Sequence, residues 1–337
     1  MPAEWEPHEA TWLTWPGNKI SWPGPLLKKV EEIYIEMIRG LLPEEKVNLL
    51  VRDKKIAQAL IRRLDSRKIS SKNLIFHQVK TVDTWIRDYG PIFVKGKEVA
   101  FTKWIFNAWG GKYPDLARDN GVVGQLKSLK RFKRFDPGII LEGGSIDVNG
   151  RGTLLTTEQC LLNPNRNQHL SRRQLEKYLE KYLGIKKTIW LKEGIEADDT
   201  DGHVDDITRF VGPRTILTAV ESDPSDKNHA YLKENLEILK KSTDQDGKKF
   251  KIIELPMPGV VGPPRSDSDH RRLPASYANF YIANHAVLVP VYSHHHDKTA
   301  LKIIRGLFPD RKVIGIECTA LVYGLGSIHC VTQQQPK

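Results

Sequence analysis

Two rhythms of apolar and polar residues alternate along this chain. Short β-rich runs come in pairs, each pair joined by a turn of Gly, Pro, Asn or Lys: 91–94 with 99–103, 145–148 with 153–157, 207–211 with 215–219, and 279–283 with 286–291. Such pairs predict β-hairpins, because turn residues of these types tolerate a sharp chain reversal between two extended runs. A fifth run, 327–332, is followed by no partner, and the N-terminal run 10–15 can supply one and close the series. Between the pairs, apolar residues recur every three to four positions. This spacing predicts amphipathic helices over 25–41, 54–67, 116–131, 171–182, 227–240 and 297–307, the last with Asp297 as its N-cap.

Strands alternating with helices predict an α/β protein. A polar residue opens each hairpin in turn: Asp88, Glu142, His203, Tyr277 and Cys330, at intervals of 54, 61, 74 and 53 residues. Recurrence of one supersecondary unit at a roughly fixed interval signals a repeat architecture. Length alone suggests about two domains, but five units that each deliver one residue to a common centre make a single domain over 1–337.

With 39% hydrophobic and 28% charged residues, the chain has the composition of a folded globular protein. Its net charge of +11 favours weak attraction to polyanions. The basic residues are spread over helical stretches, and neither an RNA-binding aromatic strand nor zinc-finger spacing accompanies them, so no specific nucleic-acid partner is expected. No apolar run approaches the ~18 residues of a membrane span, and Glu4, Glu6 and Glu9 stand where a secretion signal would be basic and then apolar. Cys160, Cys318 and Cys330 are odd in number and form no C-x-x-C pair, which argues against a disulfide framework or a thiolate zinc site and for a reducing, cytoplasmic setting.

The densest chemical signal is the segment 196–206, with five aspartates between Asp198 and Asp206. Read as extended chain, it puts Asp201, His203 and Asp205 on one face. An acidic surface loop would explain an ordinary run of this kind, but a hydrophobic strand follows immediately and should carry part of the cluster into the fold. Buried like charges need a cation, whether a metal, a lysine or arginine, or the substrate. Asp88 stands at the mouth of a strand with Trp85 as an apolar wall, and Glu142 precedes a Gly-Gly pair that permits close backbone approach or positive φ. Cys160 and Cys318 read as packing residues, whereas glycines precede Cys330 and mainly polar residues follow it. On an extended strand His329 faces away from Cys330, which leaves His203 as the available base. The run 294–297, His-His-His-Asp, reads as a solvated loop with incidental metal affinity.

These motifs, taken in order, resemble a known family: Trp-Ile-Arg-Asp88-Tyr-Gly-Pro, Leu-Glu142-Gly-Gly-Ser, Leu-Asn-Pro-Asn-Arg166-Asn, Asp-Gly-His203-Val-Asp205-Asp, Pro-Ala-Ser-Tyr277-Ala-Asn and Ile-His-Cys330-Val-Thr. The family is that of the agmatine deiminases and related bacterial peptidylarginine-deiminase-type proteins, and the likeness runs from about residue 2 to residue 336. It implies the pentein fold, five ββα-type units around a pseudo-fivefold axis. It also implies roles: Cys330 as nucleophile, His203 as general acid and base, Asp88 and Asp205 as guanidinium-binding carboxylates, and Glu142 as the acid supporting the histidine. Trp85, Asp201 and Tyr277 are expected to join Asp88 and Asp205 in binding substrate. The implied reaction hydrolyses agmatine to N-carbamoylputrescine and ammonia through a thiouronium on the cysteine, a step toward putrescine that needs no cofactor and no metal. The implied partner is a small cationic guanidine, and a homo-oligomer stays open. Deimination of free or peptidyl arginine and amidino transfer would use the same site. Readings of a different class are a metal-dependent hydrolase and a basic nucleic-acid-binding protein. Leu325, between Gly324 and Gly326, departs from the all-glycine run frequent in the family. Because acids crowd Cys330 in this reading, activation of its thiol is expected to wait for the bound guanidinium.

Overall fold

The structure, a computed structural model, describes residues 1–263 and 271–337. The expected hairpins form, and each acquires a third strand running parallel to its second. Ile92–Lys95 and Val99–Thr102 are joined by Lys133–Phe135, and Asp147–Val148 and Thr153–Thr157 by Lys187–Leu191. Thr208–Gly212 and Thr215–Val220 are joined by Lys251–Pro256, and Tyr281–Ile282 and Ala286–Val291 by Lys312–Glu317. The third strands escape a hairpin criterion because each is a lone run entered from helical or irregular chain instead of from a turn.

The fifth sheet closes the series. Its four strands lie in the order Thr332–Pro336, His8–Thr14, Lys46–Val51, Leu74–Gln78, with the first pair antiparallel and the others parallel. The expected pairing of the two chain ends is therefore borne out, and the five-unit α/β architecture with it. The final strand begins at Thr332 and not near residue 327, so Cys330 lies in the turn leading into the strand. Within that turn the Thr332 N–H and hydroxyl both donate to the His329 carbonyl.

Helices form where the three-to-four spacing is sustained. Leu26–Leu41 buries a stripe of Val30, Ile33, Tyr34, Met37, Ile38 and Leu41, and Ile35 and Gly40 beside it are buried as well. Asp53 caps Lys54–Ser66 by accepting from the Ile56 N–H, and Ser171 with Gln174 forms a capping box on Arg172–Leu183. Two expectations fail. The stretch 116–131 is broken into short turns, Leu116–Gly121, Val122–Gln125 and Lys127–Arg131, because Leu126 turns extended at ψ 95° and glycines at 121 and 124 weaken the helix on either side. Asp297 is the first residue of its helix, Asp297–Leu307, with His296 in the cap position. Its carboxylate instead accepts from the Tyr292 and His294 N–H groups of the incoming loop. None of the described helices is long and apolar enough to cross a membrane.

Trp12 ties the closing sheet together. It is 1% exposed, donates from Nε1 to Gln335 Oε1 at 3.0 Å, and stacks on His77 with centroids 5.0 Å apart. Truncating such a residue leaves a cavity as well as losing apolar burial, so Trp12→Ala is expected to lower stability by about 3–5 kcal/mol in urea unfolding. Ile75→Ala, on an adjoining part of the same sheet but 41% exposed, is expected to cost no more than about 1 kcal/mol. Equal midpoints for the two variants would show that the joined chain ends do not hold the fold together.

Candidate active site

Five turns, each leading into a hairpin or the closing strand, converge on one buried place. Asp88 comes from the short helix Ile86–Tyr89, Glu142 and the glycines after it from the turn Gly143–Ser145, and His203 with Asp205 from the turn around Val204–Asp206. Asn279 and Cys330 come from the last two units. The Glu-Gly-Gly pattern is explained by close approach and not by positive φ. A methyl group on Gly143 would lie 2.1 Å from the Arg87 carbonyl oxygen. One on Gly144 would lie 2.6 Å from His203 Nδ1, 2.9 Å from Asp88 Oδ1 and 3.1 Å from Asp205 Oδ2.

Each side chain is held by a defined partner. Asp88 accepts from the Gly144 N–H and from Trp109 Nε1, both at 2.9 Å, and lies 3.8 Å from His203 Nδ1. Glu142 Oε1 accepts from Arg166 Nε at 2.7 Å, and Arg166 also reaches Asp201 and the Thr200 carbonyl. The His203 N–H donates to Asp198 Oδ2 at 3.0 Å, fixing the acidic loop beneath it. Asp205 Oδ2 faces His329 Nδ1 at 2.6 Å and lies 3.9 Å from Cys330 Sγ. Asn279 Nδ2 lies 2.9 Å from Asp206 Oδ1 and 3.1 Å from Cys330 Sγ. Three buried atoms of this group, Glu142 Oε2, His203 Nε2 and Asp205 Oδ1, have no hydrogen-bond partner among the described residues.

Burial sets the electrostatics. It pushes the Asp88 carboxyl well above its usual range, reinforced by Asp205 and Glu142, and pushes the Cys330 thiol well up, reinforced by Asp205, Asp206 and Asp88. Burial also pulls His203 down to about 3, a fall only partly offset by Asp205. For Asp205 burial again acts upward, but the hydrogen bond and charge of His329, together with the electrostatic influence of His203 and Arg209, outweigh it and hold the carboxyl below its usual range. The free site thus holds a thiol, a neutral imidazole and crowded acids.

A cavity of about 570 Å³ opens onto this group. Asp88 and Cys330 line its wall together with Trp85, Trp109, Asp199 and Leu325. His203, Asp205 and Glu142 lie buried just behind that wall. Trp85 is therefore where the sequence puts it. Gly324 and Gly326 are needed by Trp22 and Trp85, since a methyl on either would come within 2.8 Å or 2.5 Å of those rings, and Leu325 between them is held at φ 70°. Two sequence-based expectations are corrected. Tyr277 does not line the cavity: its hydroxyl donates to Asp297 Oδ1 at 2.6 Å, and Asn279, two residues on, takes the fourth unit's place. Asp201 does not share an extended face with His203, because it adopts φ 66° and His203 leads a helical turn; its carboxylate pairs with Lys112 and Arg166. Sequence reasoning alone passes over Glu4, Asn279 and the contacts of His329. The start of the expected run 279–283 could have found the asparagine, whereas nothing local points to Glu4.

Among the described residues, three groups offer ligand atoms within 4.8 Å of one another: His294 with His295 and His296, Glu142 with Cys160 and His203, and Asp205 with Asp206 and Cys330. The second carries the Arg166 guanidinium on Glu142, whose positive charge opposes a metal ion there. Cys160 and Cys318 are fully buried and away from the cavity wall.

Gly144→Ala is expected to reduce activity by more than about 100-fold with a much smaller loss of stability, as read by steady-state turnover beside thermal unfolding, because a misplacement of about 1 Å in a reacting group can cost that much. Unchanged turnover would mean that His203, Asp88 and Asp205 need not converge.

Comparison with known proteins agrees with this geometry. A profile of the Porphyromonas-type peptidyl-arginine deiminase family matches residues 1–336. A Legionella pneumophila protein provisionally named agmatine deiminase is 38% identical over 342 residues, covering 100% of this chain and 94% of its own. The structure of the Enterococcus faecalis agmatine deiminase superposes with TM-score 0.90 at 31% identity, covering 100% of this chain and 95% of that one. A Cys-to-Ser variant of C. jejuni agmatine deiminase with substrate bound superposes with TM-score 0.85 at 35% identity, covering 100% and 96%.

Proposed function

The chain belongs to the Porphyromonas-type peptidyl-arginine deiminase family, and from that premise we propose that it is an agmatine deiminase, hydrolysing agmatine to N-carbamoylputrescine and ammonia. The observation that carries this reading is the pair of buried carboxylates, Asp88 and Asp205, beside a thiol on the wall of a cavity. A planar guanidinium presents paired N–H donors on adjacent edges, so two carboxylates can clamp it and hold its carbon against sulfur. The free Asp205 Oδ1 offers one such acceptor.

In the proposed reaction His203 takes the proton of the Cys330 thiol and the sulfur attacks the guanidinium carbon. The resulting imidazolium, steadied by Glu142 and Asp88, returns the proton to the departing nitrogen, and ammonia leaves. A thiouronium remains on Cys330. Water attacks it while His203 accepts a proton, and collapse expels the sulfur as N-carbamoylputrescine forms. Neutral His203 in the free site is the form able to accept the first proton. The Cys-to-Ser relative that holds its substrate supports a cysteine in this role.

Agmatine is favoured over arginine by the cavity wall. Lys112 and Arg118 are paired with Asp201 and Asp115, and Arg271 lies over the Tyr323 ring at 4.4 Å, while Asp199, which accepts a hydrogen bond from the Tyr113 hydroxyl and whose carboxyl burial pushes upward, is the wall's acceptor for a distal ammonium. Ammonia release is expected from agmatine at a kcat/KM at least about tenfold above that for free arginine or a blocked arginine peptide, and Cys330→Ser is expected to abolish it while Cys160→Ser keeps most of it. Asp88→Asn, which preserves shape and removes charge, is expected to lower kcat/KM by about 30-fold or more, since losing one partner of a buried charge pair costs about 2–5 kcal/mol. Preference for a peptide substrate, or equal loss from Cys160→Ser, would overturn the assignment.

A further inference from the structure

The proposed reaction uses His203 and leaves a second buried imidazole, His329, without a part. His329 immediately precedes Cys330 and is 1% exposed. Its Nδ1 lies 2.6 Å from Asp205 Oδ2, and its Nε2 lies 2.8 Å from Glu4 Oε2. An ionised carboxylate only accepts hydrogen bonds, so a ring nitrogen facing one must carry a proton. A ring donating at both nitrogens is an imidazolium. We infer that His329 is a positioning residue, a buried imidazolium spanning Glu4 and Asp205 that keeps Asp205 ionised and oriented for the guanidinium.

The surrounding charges support this assignment. On the far side, Glu4 also accepts from the Ile282 N–H, and Arg209 and Arg87 approach it at 2.8 Å and 3.4 Å. Arg209 additionally pairs with Asp147 at 2.5 Å. These two guanidiniums make their direct ion pairs with Glu4 and Asp147, and Arg209 acts on Asp205 only through its charge at longer range. On the near side Asp205 is crowded by Asp88, Asp198, Asp206, the Cys330 thiol and His203, which is neutral. Among the described residues, His329 is the cation in direct contact with Asp205. Its contact is the first of the influences that hold the Asp205 carboxyl below its ordinary range despite complete burial, ahead of His203 and Arg209, in contrast with Asp88 and Asp206, which accept from neutral donors and are pushed upward.

The backbone fixes the ring in place. The His329 N–H donates to Asn279 Oδ1 at 2.9 Å, and Arg87 Nε donates to the His329 carbonyl at 3.2 Å. The asparagine that anchors His329 also contacts Cys330 Sγ, so the carboxylate, its cation and the sulfur share one support. Both side chains of the turn approach Asp205 Oδ2, His329 Nδ1 at 2.6 Å and Cys330 Sγ at 3.9 Å, and Cys330 also reaches the cavity wall.

Part of this inference, the guanidinium contact of Asp205, rests on the reaction proposed above; the protonation of the ring does not. It is read in the intact wild-type protein by nitrogen-15 NMR of the histidine rings, with His329→Asn assigning the signal. Both ring nitrogens of His329 are expected to be protonated at neutral pH, and a ring with one bare nitrogen would overturn the proposal whatever the substrate proves to be. The second readout is the pH profile of kcat/KM, taken with whichever guanidine releases ammonia. Asn can still donate to Asp205 but carries no charge, so Asp205 should take up a proton more readily. The acid limb is expected to move to higher pH by about one unit or more, since an adjacent opposite charge is worth that much to a carboxyl. Plateau turnover of His329→Asn should exceed that of His329→Ala by about tenfold because the donor is kept. Glu4→Gln, which keeps the imidazole and the shape, should move the acid limb in the same direction. An acid limb that stays in place in a folded variant would reduce His329 to packing and contradict the inference.

Discussion

Everything in this molecule that bears on chemistry depends on keeping several carboxylates out of water within a few ångströms of one another. Asp88, Glu142, Asp205 and Asp206 are all buried, in a chain whose net charge is +11. Such a cluster is costly unless cations or strong donors balance it. The balancing groups are divided among the acids. Arg166 serves Glu142, His329 serves Asp205, and Asp88 receives only neutral donors from Trp109 and Gly144. The site is therefore left short of positive charge on the side where the cavity opens, and a guanidinium has the charge and the donor geometry to complete it.

The fold serves this arrangement by repetition. Each unit ends a connection at the same end of its sheet, so five turns can contribute one or two residues each without any of them being long. Joining His8–Thr14 to Thr332–Pro336 does more than tie the ends. It draws Glu4 from the N-terminal segment to His329 and brings Cys330 in at the start of the last strand. Glycines at 143 and 144 are demanded by packing, since a methyl group on either would come within 3 Å of backbone or side-chain atoms of other units.

Much of this is legible in the sequence. Hairpins, their turns and most helices follow directly from apolar spacing, and the polar residues opening the units mark Asp88, Glu142, His203 and Cys330. What the sequence hides is hidden for physical reasons. Treating 196–206 as extended misplaces Asp201, because the Asp-Gly turn there adopts positive φ and a helical turn follows. Tyr277 draws notice before Asn279 because a phenol is the more conspicuous group, yet the strand begins at Tyr281 and the asparagine stands next to the sulfur. Read as a strand, 327–332 turns His329 away from Cys330, but both residues lie in the turn before Thr332, and the partners of His329 come from residues 4 and 205, contacts of a range that no local pattern reports. The third strands escape notice because each pairs with a strand far back in the chain instead of across a turn.

The central claim is that the empty site holds a protonated thiol and that a guanidinium-like cation creates the nucleophile. Burial and three nearby acids push Cys330 up, while His203 is too weak a base in the free site to hold its proton. The rate of alkylation of Cys330 by a neutral reagent, followed against pH, tests this directly. In the free protein the account predicts slow modification near neutrality with a midpoint above the ~8.5 of an ordinary cysteine, and a shift to lower pH when a non-reactive amidine occupies the pocket without covering the sulfur. A midpoint below about 7 in the absence of any ligand would mean a preformed thiolate paired with protonated His203, and would contradict the account.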